Sequence, residues 1–204
     1  MTYKTEQEAF WSGEFGNGYL SRNDSEQLIV SRMVHFAKFL KSAPRVKSIM
    51  ELGCNIGLNL QALSRLNKSI ELSAYEINPI AAAKARELNI ASITCGTILN
   101  RIESERTLDL VFTSGVLIHI DPAHLHAVYQ NLYDLSARYV LINEYYNPTP
   151  MMVEYRGEKD RLFKRDFAGE LIDKFNLRLI DYGFLYRRDN YFPRDDSTWF
   201  LLEK

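Results

Sequence analysis

The chain has 204 residues, 46% of them hydrophobic and 25% charged, with a formal net charge of -1. That length suits one domain around one full core, and the near-neutral balance gives no reason to expect nucleic acid or an anionic membrane as partner. Two cysteines, Cys54 and Cys95, in no metal-type spacing argue against a disulfide framework. A polar N-terminus with early acids and the lack of a long apolar run argue against a signal peptide and a membrane span, so a cytoplasmic setting is expected.

In chain order, residues 5–11 are expected to form a short helix. Residues 10–23 mix Phe10, Trp11, Phe15 and Tyr19 with Gly13, Gly16 and Gly18. Glycine this dense disfavours a helix, which predicts a structured loop. Leu28, Ile29, Met33, Phe36, Ala37 and Leu40 recur at helical spacing and predict an amphipathic helix over 25–41, ended before Pro44. Strands and helices then alternate. Strands are expected at 46–52, 70–77, 91–95, 108–113 and 139–144, and helices at 58–66, 79–88 and 122–135, the last two opened by proline. This alternation implies an α/β fold, a mostly parallel sheet covered by helices on both faces. After Asn147-Pro148-Thr149-Pro150, residues 151–166 read as a charged connection and 167–175 as a helix. Residues 177–186 and 198–203 read as two strands with no helix between them, which should pair antiparallel.

The segment Glu51-Leu52-Gly53-Cys54-Asn55-Ile56-Gly57 ends the first strand of the alternation and opens a helix. Its free N–H groups and positive dipole end would face a ligand at the switch point of a doubly wound sheet. Glu76 ends the second strand, where an acid can accept ribose hydroxyls. The dinucleotide pattern G-x-G-x-x-G fails twice, at Asn55 and Leu58. Asn55 can replace a glycine needed for left-handed backbone, because asparagine tolerates that region better than most residues.

These motifs, with Ala74 to Asn78, Cys95-Gly96-Thr97 and the run from Asp109 to Ile120, resemble a Rossmann-like class I S-adenosylmethionine-dependent methyltransferase. Such a protein has a mostly parallel seven-stranded sheet whose last strand is antiparallel. The ends add a narrower likeness. Thr5-Glu6-Gln7-Glu8-Ala9-Phe10-Trp11, Asn143-Glu144-Tyr145-Tyr146-Asn147-Pro148, Tyr155-Arg156-Gly157 and Arg161-Leu162-Phe163-Lys164-Arg165-Asp166 are similar to the methylase family associated with pseudaminic acid biosynthesis. So is Arg188-Asp189-Asn190 with Phe192-Pro193 and Asp195-Asp196. The resemblance implies one methyltransferase domain over 1–204: an N-terminal lid and helix (1–44), a cofactor core (45–144) and acceptor-side loops with the strand pair (145–204). It implies S-adenosyl-L-methionine held by Glu51, Gly53, Cys54, Asn55 and Gly57 at its methionine end and by Glu76 and Ile77 at its nucleoside. Gly96 and Thr97 would lie near adenine, although Thr97 stands where an acid is frequent. Ser114, Gly115 and Leu117 would pass the sulfonium, and Arg22 would reach the cofactor carboxylate if the N-terminal segment closes as a lid.

On the acceptor side, His119 and Glu144 are alternative general bases, and Tyr145 or Tyr146 can present a ring to the cation. Tyr155, Arg156, Arg161, Lys164 and Arg165 follow the fifth strand, and Arg187 and Arg188 follow the next. Both loops leave carboxyl ends of parallel strands, so they are expected to converge in a basic acceptor pocket. Arginine pairs well with carboxylate and phosphate, which suits a nonulosonic acid or its nucleotide-activated precursor, methylated at a hydroxyl or amine. Another anionic small molecule, such as a capsule or secondary-metabolite precursor, and a non-catalytic cofactor-binding module are the alternatives. His119, Asp121, His124 and His126 do not share a face once Pro122 starts a helix, so no metal site is expected.

Overall fold

The computed structural model describes residues 3–20 and 25–204. Two short helices, α1 (Glu6–Ser12) and α2 (Glu14–Leu20), precede the long helix α3 (Glu26–Lys41). The alternation follows as β1 (Ser48–Leu52), α4 (Leu58–Leu66), β2 (Glu71–Glu76), α5 (Pro79–Glu87), β3 (Ser92–Cys95) and β4 (Leu108–Ser114). Two 3₁₀ turns, Leu117–His119 and Pro122–His124, lead into α6 (Leu125–Leu135) and β5 (Ser136–Glu144). Then come β6 (Met151–Tyr155), β7 (Glu158–Lys164), α7 (Phe167–Phe175), β8 (Arg178–Leu185) and β9 (Ser197–Glu203).

Seven strands form one sheet in the order β3-β2-β1-β4-β5-β9-β8. The first five run parallel, and β9 lies between β5 and β8, antiparallel to both. The expected α/β class and antiparallel last strand are therefore what the chain builds. Alternate residues of each strand feed the two faces, because side chains in a strand point to opposite sides. Ile49, Phe112, Leu141 and Trp199 pack with Phe36, Phe39, Leu60 and Leu63 from α3 and α4. Leu52, Val111, Val140 and Leu202 pack on the other face with Val128 and Leu132 of α6 and Phe167 and Leu171 of α7. No helix among the described residues is long and apolar enough to cross a membrane.

Three expectations need correction. The loop expected after residue 11 is largely helix α2, despite its glycines. At Gly16 any Cβ would collide with the Trp11 carbonyl oxygen, so glycine there permits the close approach of α2 to α1. The stacked rings of Phe10 and Phe15, 4.1 Å apart, reinforce that contact. The charged connection over 151–166 is a hairpin. Tyr155 pairs with Glu158, and Arg156 and Gly157 both have positive φ, 54° and 85°, the two-residue turn that matches strand twist. The helix expected over 122–135 opens as a 3₁₀ turn, and β5 starts at Ser136, three residues before Tyr139, paired there with Leu108 across a bulge.

Candidate active site

The carboxyl ends of β1, β2, β4 and β5 open into a cavity of about 440 Å³, a volume typical of small-molecule sites. Its floor is the turn after β1. Asn55 has φ 50° and Gly57 has φ 83°, the left-handed backbone for which asparagine and glycine are suited. Gly57 precedes α4 without any side-chain cap, so the first N–H groups of that helix stay available to a ligand. Glu76 fastens the turn: its carboxylate accepts from Asn55 N at 2.7 Å and from Asn78 N at 2.8 Å. Burial pushes the Glu76 carboxyl up, against the pull of those backbone hydrogen bonds.

Glu51 is enclosed at the end of β1. One oxygen accepts from Asn59 Nδ2 at 2.6 Å, and the other is buried with no partner. Burial raises its pKa to about 8, with Asn59, Arg32 and Arg194 pulling the other way. A buried carboxylate oxygen with no donor calls for one, and a ligand ammonium would satisfy it. Of the expected cofactor residues, Glu51, Gly53, Cys54, Asn55, Glu76, Ile77, Gly96, Ser114 and Gly115 line the cavity. Gly57, Thr97 and Leu117 do not. Gly57 caps α4, Leu117 is fully buried in the core, and the Thr97 hydroxyl donates to Glu8. Arg22 lies outside the described residues.

The N-terminal helices cover the nucleoside end. Thr5, Gln7, Glu8, Trp11, Tyr19 and Leu20 line the cavity opposite Gly96, Ile98 and Leu99. Asn78 positions them. Its Oδ1 caps α5 by accepting from Ile80 N and Ala81 N, while its Nδ2 donates to Trp11 O at 3.1 Å and to Asn17 Oδ1 at 2.9 Å. Gln7 Nε2 also donates to Asp160 O at 3.1 Å, which ties the cover to the hairpin. Glu8 is buried beside Thr97, so the acid absent from position 97 arrives from α1. Sequence spacing carries no sign of this pairing, which spans 89 residues.

The acceptor end departs further from expectation. His119 lines the cavity, with Trp11 and Tyr155 ring centroids at 4.5 and 5.1 Å. Its Nδ1 lies 2.7 Å from the Arg161 carbonyl. A carbonyl only accepts, so Nδ1 carries the proton and Nε2 of the neutral ring is an acceptor. Burial pushes its pKa down to about 4. Glu144 accepts from Val116 N at 3.0 Å and Ile118 N at 3.4 Å. Its carboxylate thus holds the loop that carries His119. Burial raises it to about 7, against those backbone donors.

Most of the expected basic residues go elsewhere. Arg165 pairs with Glu170 at 2.6 Å, Arg161 with Glu6 at 3.3 Å and Arg187 with Asp196 at 3.3 Å. Lys164 sits over the Tyr145 ring at 5.3 Å. Arg188 and Tyr146 are exposed and do not line this cavity. Arg165 and Arg187 find acids nearby in the chain, whereas Arg161 is taken by Glu6 of α1 and Lys164 by the Tyr145 ring after β5. Tyr145, Tyr155 and Arg156 do line the cavity, and two arginines absent from the expected set join them, Arg32 from α3 and Arg194 from the loop before β9. Arg32 falls between Ile29 and Phe36 on the buried stripe of α3, so a charge on an apolar helix face was the available signal.

Residues 50–138 match the model of a family described as a methyltransferase domain. A tRNA N(3)-methylcytidine methyltransferase of Schizosaccharomyces pombe is 21% identical over 89% of this chain and 67% of its own length. A magnesium protoporphyrin IX methyltransferase from Synechocystis, solved with bound S-adenosylhomocysteine, superposes with a TM-score of 0.73 at 12% identity, covering 99% of this chain and all of that one. An N-methyltransferase from Bradyrhizobium japonicum gives a TM-score of 0.66 at 14% identity over 89% of this chain and 98% of its own. These structures share the fold. The chain has the class I Rossmann-like architecture of S-adenosylmethionine-dependent methyltransferases.

Proposed function

We propose that the chain methylates a hydroxyl or amine of a nonulosonate sugar of the pseudaminic acid type, or of its nucleotide-activated precursor. One observation carries the reading. The acceptor end is closed over by α1, α2 and the β6–β7 hairpin and presents Tyr145, Tyr155, Arg156 and Arg194 around His119. An enclosure of that size suits a small acceptor, and arginine beside tyrosine suits a carboxylate or phosphate next to hydroxyls. The likeness of the terminal motifs to the pseudaminic-acid-associated methylases names the sugar.

S-adenosylmethionine supplies a methyl group on a sulfonium leaving group. The chain supplies position and a proton acceptor. Glu51 and the uncapped end of α4 receive the amino-acid end, with Arg32 across from Glu51 for its carboxylate in place of Arg22. Glu76 receives the ribose and Glu8 faces the base. His119 Nε2 accepts the hydrogen bond of the acceptor hydroxyl or amine and takes its proton as the new bond to carbon forms. An anionic acceptor beside the ring raises its basicity above that of the empty cavity.

The test is methyl transfer by purified protein, with labelled cofactor and a panel of nine-carbon sugar acids and their nucleotide forms, read by mass spectrometry. Label appearing in one of these sugars supports the reading. Tight cofactor binding with no labelled sugar overturns it, and transfer to a carboxylate that is not a sugar keeps the anionic acceptor but removes the sugar.

A further inference from the structure

Arg194 lines the cavity from the loop before β9, and the small pocket behind it, and among the described residues its side chain has no hydrogen-bonding or ion-pair partner. The surrounding protein pushes its pKa down, chiefly through burial, while Asp195, Tyr19, Glu51 and Tyr145 pull it up. A half-buried guanidinium with no direct hydrogen-bond partner leaves its donors free for a ligand.

The loop that carries Arg194 is fastened along its length. Gln27 Nε2 donates to Tyr191 O at 3.3 Å and Ser31 Oγ donates to Pro193 O at 3.0 Å, both from α3. Arg194 N donates to Tyr186 O at 3.3 Å, and Arg187 N to Asp196 Oδ1 at 2.9 Å. Asp189 accepts from Tyr191 N and Phe192 N. A side chain set on so constrained a loop is placed before any ligand arrives, the condition for selective recognition.

The charges lining the cavity divide by location. Glu8 and Glu76 stand at the nucleoside end, and Glu144 is held by backbone amides. Glu51 is coupled electrostatically to both Arg32 and Arg194, so the amino-acid end meets one carboxyl and two guanidiniums, of which an α-amino acid zwitterion uses one of each kind. That leaves one guanidinium over, and Arg194, which is also coupled to Asp195 and Tyr145, is the one that reaches toward the acceptor residues Tyr155 and Arg156 of the same cavity. The cofactor itself brings a net positive charge, so the loaded site has an excess of cation where the acceptor enters.

We propose that Arg194 is the anchor for the anionic group of the acceptor, a carboxylate or a phosphate, and so the residue that restricts this enzyme to acidic substrates. The inference rests on the anionic-acceptor reading above and moves it from the hairpin arginines to a residue outside them.

The experiment loads the protein with S-adenosylhomocysteine and follows the Nε–Hε signal of Arg194 by NMR in ¹⁵N-arginine-labelled protein, assigned by its loss in Arg194→Gln. Acetate and inorganic phosphate serve as probes, and the larger shift separates the carboxylate source from the phosphate source. A saturable shift with either probe supports the proposal. No shift with either overturns it, whatever the sugar panel shows. In parallel, calorimetry compares Arg194→Gln and Arg194→Lys with wild type for S-adenosylhomocysteine and for N-acetylneuraminate and its methyl ester. The proposal expects cofactor affinity within about threefold of wild type and acidic-sugar affinity lower by about tenfold or more in the glutamine variant, with partial recovery in the lysine variant. Esterification should weaken wild type by a similar factor and the glutamine variant hardly at all. A tenfold loss of cofactor affinity in Arg194→Gln with an intact esterification penalty overturns the proposal, because Arg194 then belongs to the cofactor carboxylate. Failure of wild type to bind either sugar leaves the NMR arm decisive and counts only against the sugar reading.

Discussion

The two ends of the cavity are built differently. The cofactor end is a local device: a strand, a left-handed turn at Asn55 and Gly57, and a helix start, all within residues 48–66, with one carboxylate from the next strand locking it. The acceptor end is assembled from α3, the cover of α1 and α2, the β6–β7 hairpin and the loop before β9, segments up to about the whole chain apart. A local device leaves a spacing in the sequence. An assembly leaves only residue types, and charged residue types find several partners. That is why the arginines expected to converge on the acceptor are mostly engaged in pairs such as Arg165–Glu170, while of the three that line the cavity only Arg156 was in the expected set.

The largest expected effect lies at the local end. Glu76→Ala removes the proposed ribose acceptor and releases Asn55 N and Asn78 N together. Affinity for S-adenosylhomocysteine should fall about 10- to 100-fold by titration calorimetry, the range for hydrogen bonds to a charged group. Retained affinity would mean that the turn is held without it and that the local picture is wrong.

An intermediate effect should appear as pH dependence. Burial holds Glu51 up to about 8 and Glu144 up to about 7, from an ordinary value of 4.5. Above 4.5 the folded protein keeps protons that the unfolded chain has released, so stability falls as pH rises toward those values. His119 and His35, both pushed down to about 4 chiefly by burial, work in the opposite direction, but only below their ordinary 6.5. Between pH 6.5 and 8 the histidines drop out and the raised buried acids, Glu76 among them, set the slope. The melting temperature of the ligand-free protein should therefore decline across that window, and Glu51→Gln should flatten the decline. An unchanged slope in the variant would show that Glu51 is not the group being titrated.

The smallest effects should come from the hairpin and loop arginines. Arg165→Ala loses a partly exposed pair with Glu170 and should cost up to about 1 kcal/mol in denaturant unfolding. Its acceptor KM should stay within about twofold, as for Arg188→Ala, whose side chain is exposed. A tenfold rise in KM for either variant would erase the distinction between these residues and Arg194.

Much of the fold was legible in the sequence because its signals are periodic. Residues 58–66 and 167–175 become α4 and α7 at the expected bounds, and Asn55 takes the left-handed conformation expected of a glycine substitute. The hairpin was missed although Arg156-Gly157 is a two-residue turn signal, because charge in the flanking strands obscured their pairing. Helix α2 was missed because glycine propensity was weighed without the close contact at Gly16.

By itself the sequence determined the sheet, its antiparallel return and the cofactor turn from Glu51 to Gly57, since each depends on residues near one another in the chain. Only the tertiary structure decided that Glu8 stands beside Thr97, that Glu144 holds backbone, and that Arg32 and Arg194 face the cavity. The physical reason is that a buried charge is placed by what encloses it, and what encloses these residues comes from distant parts of the chain.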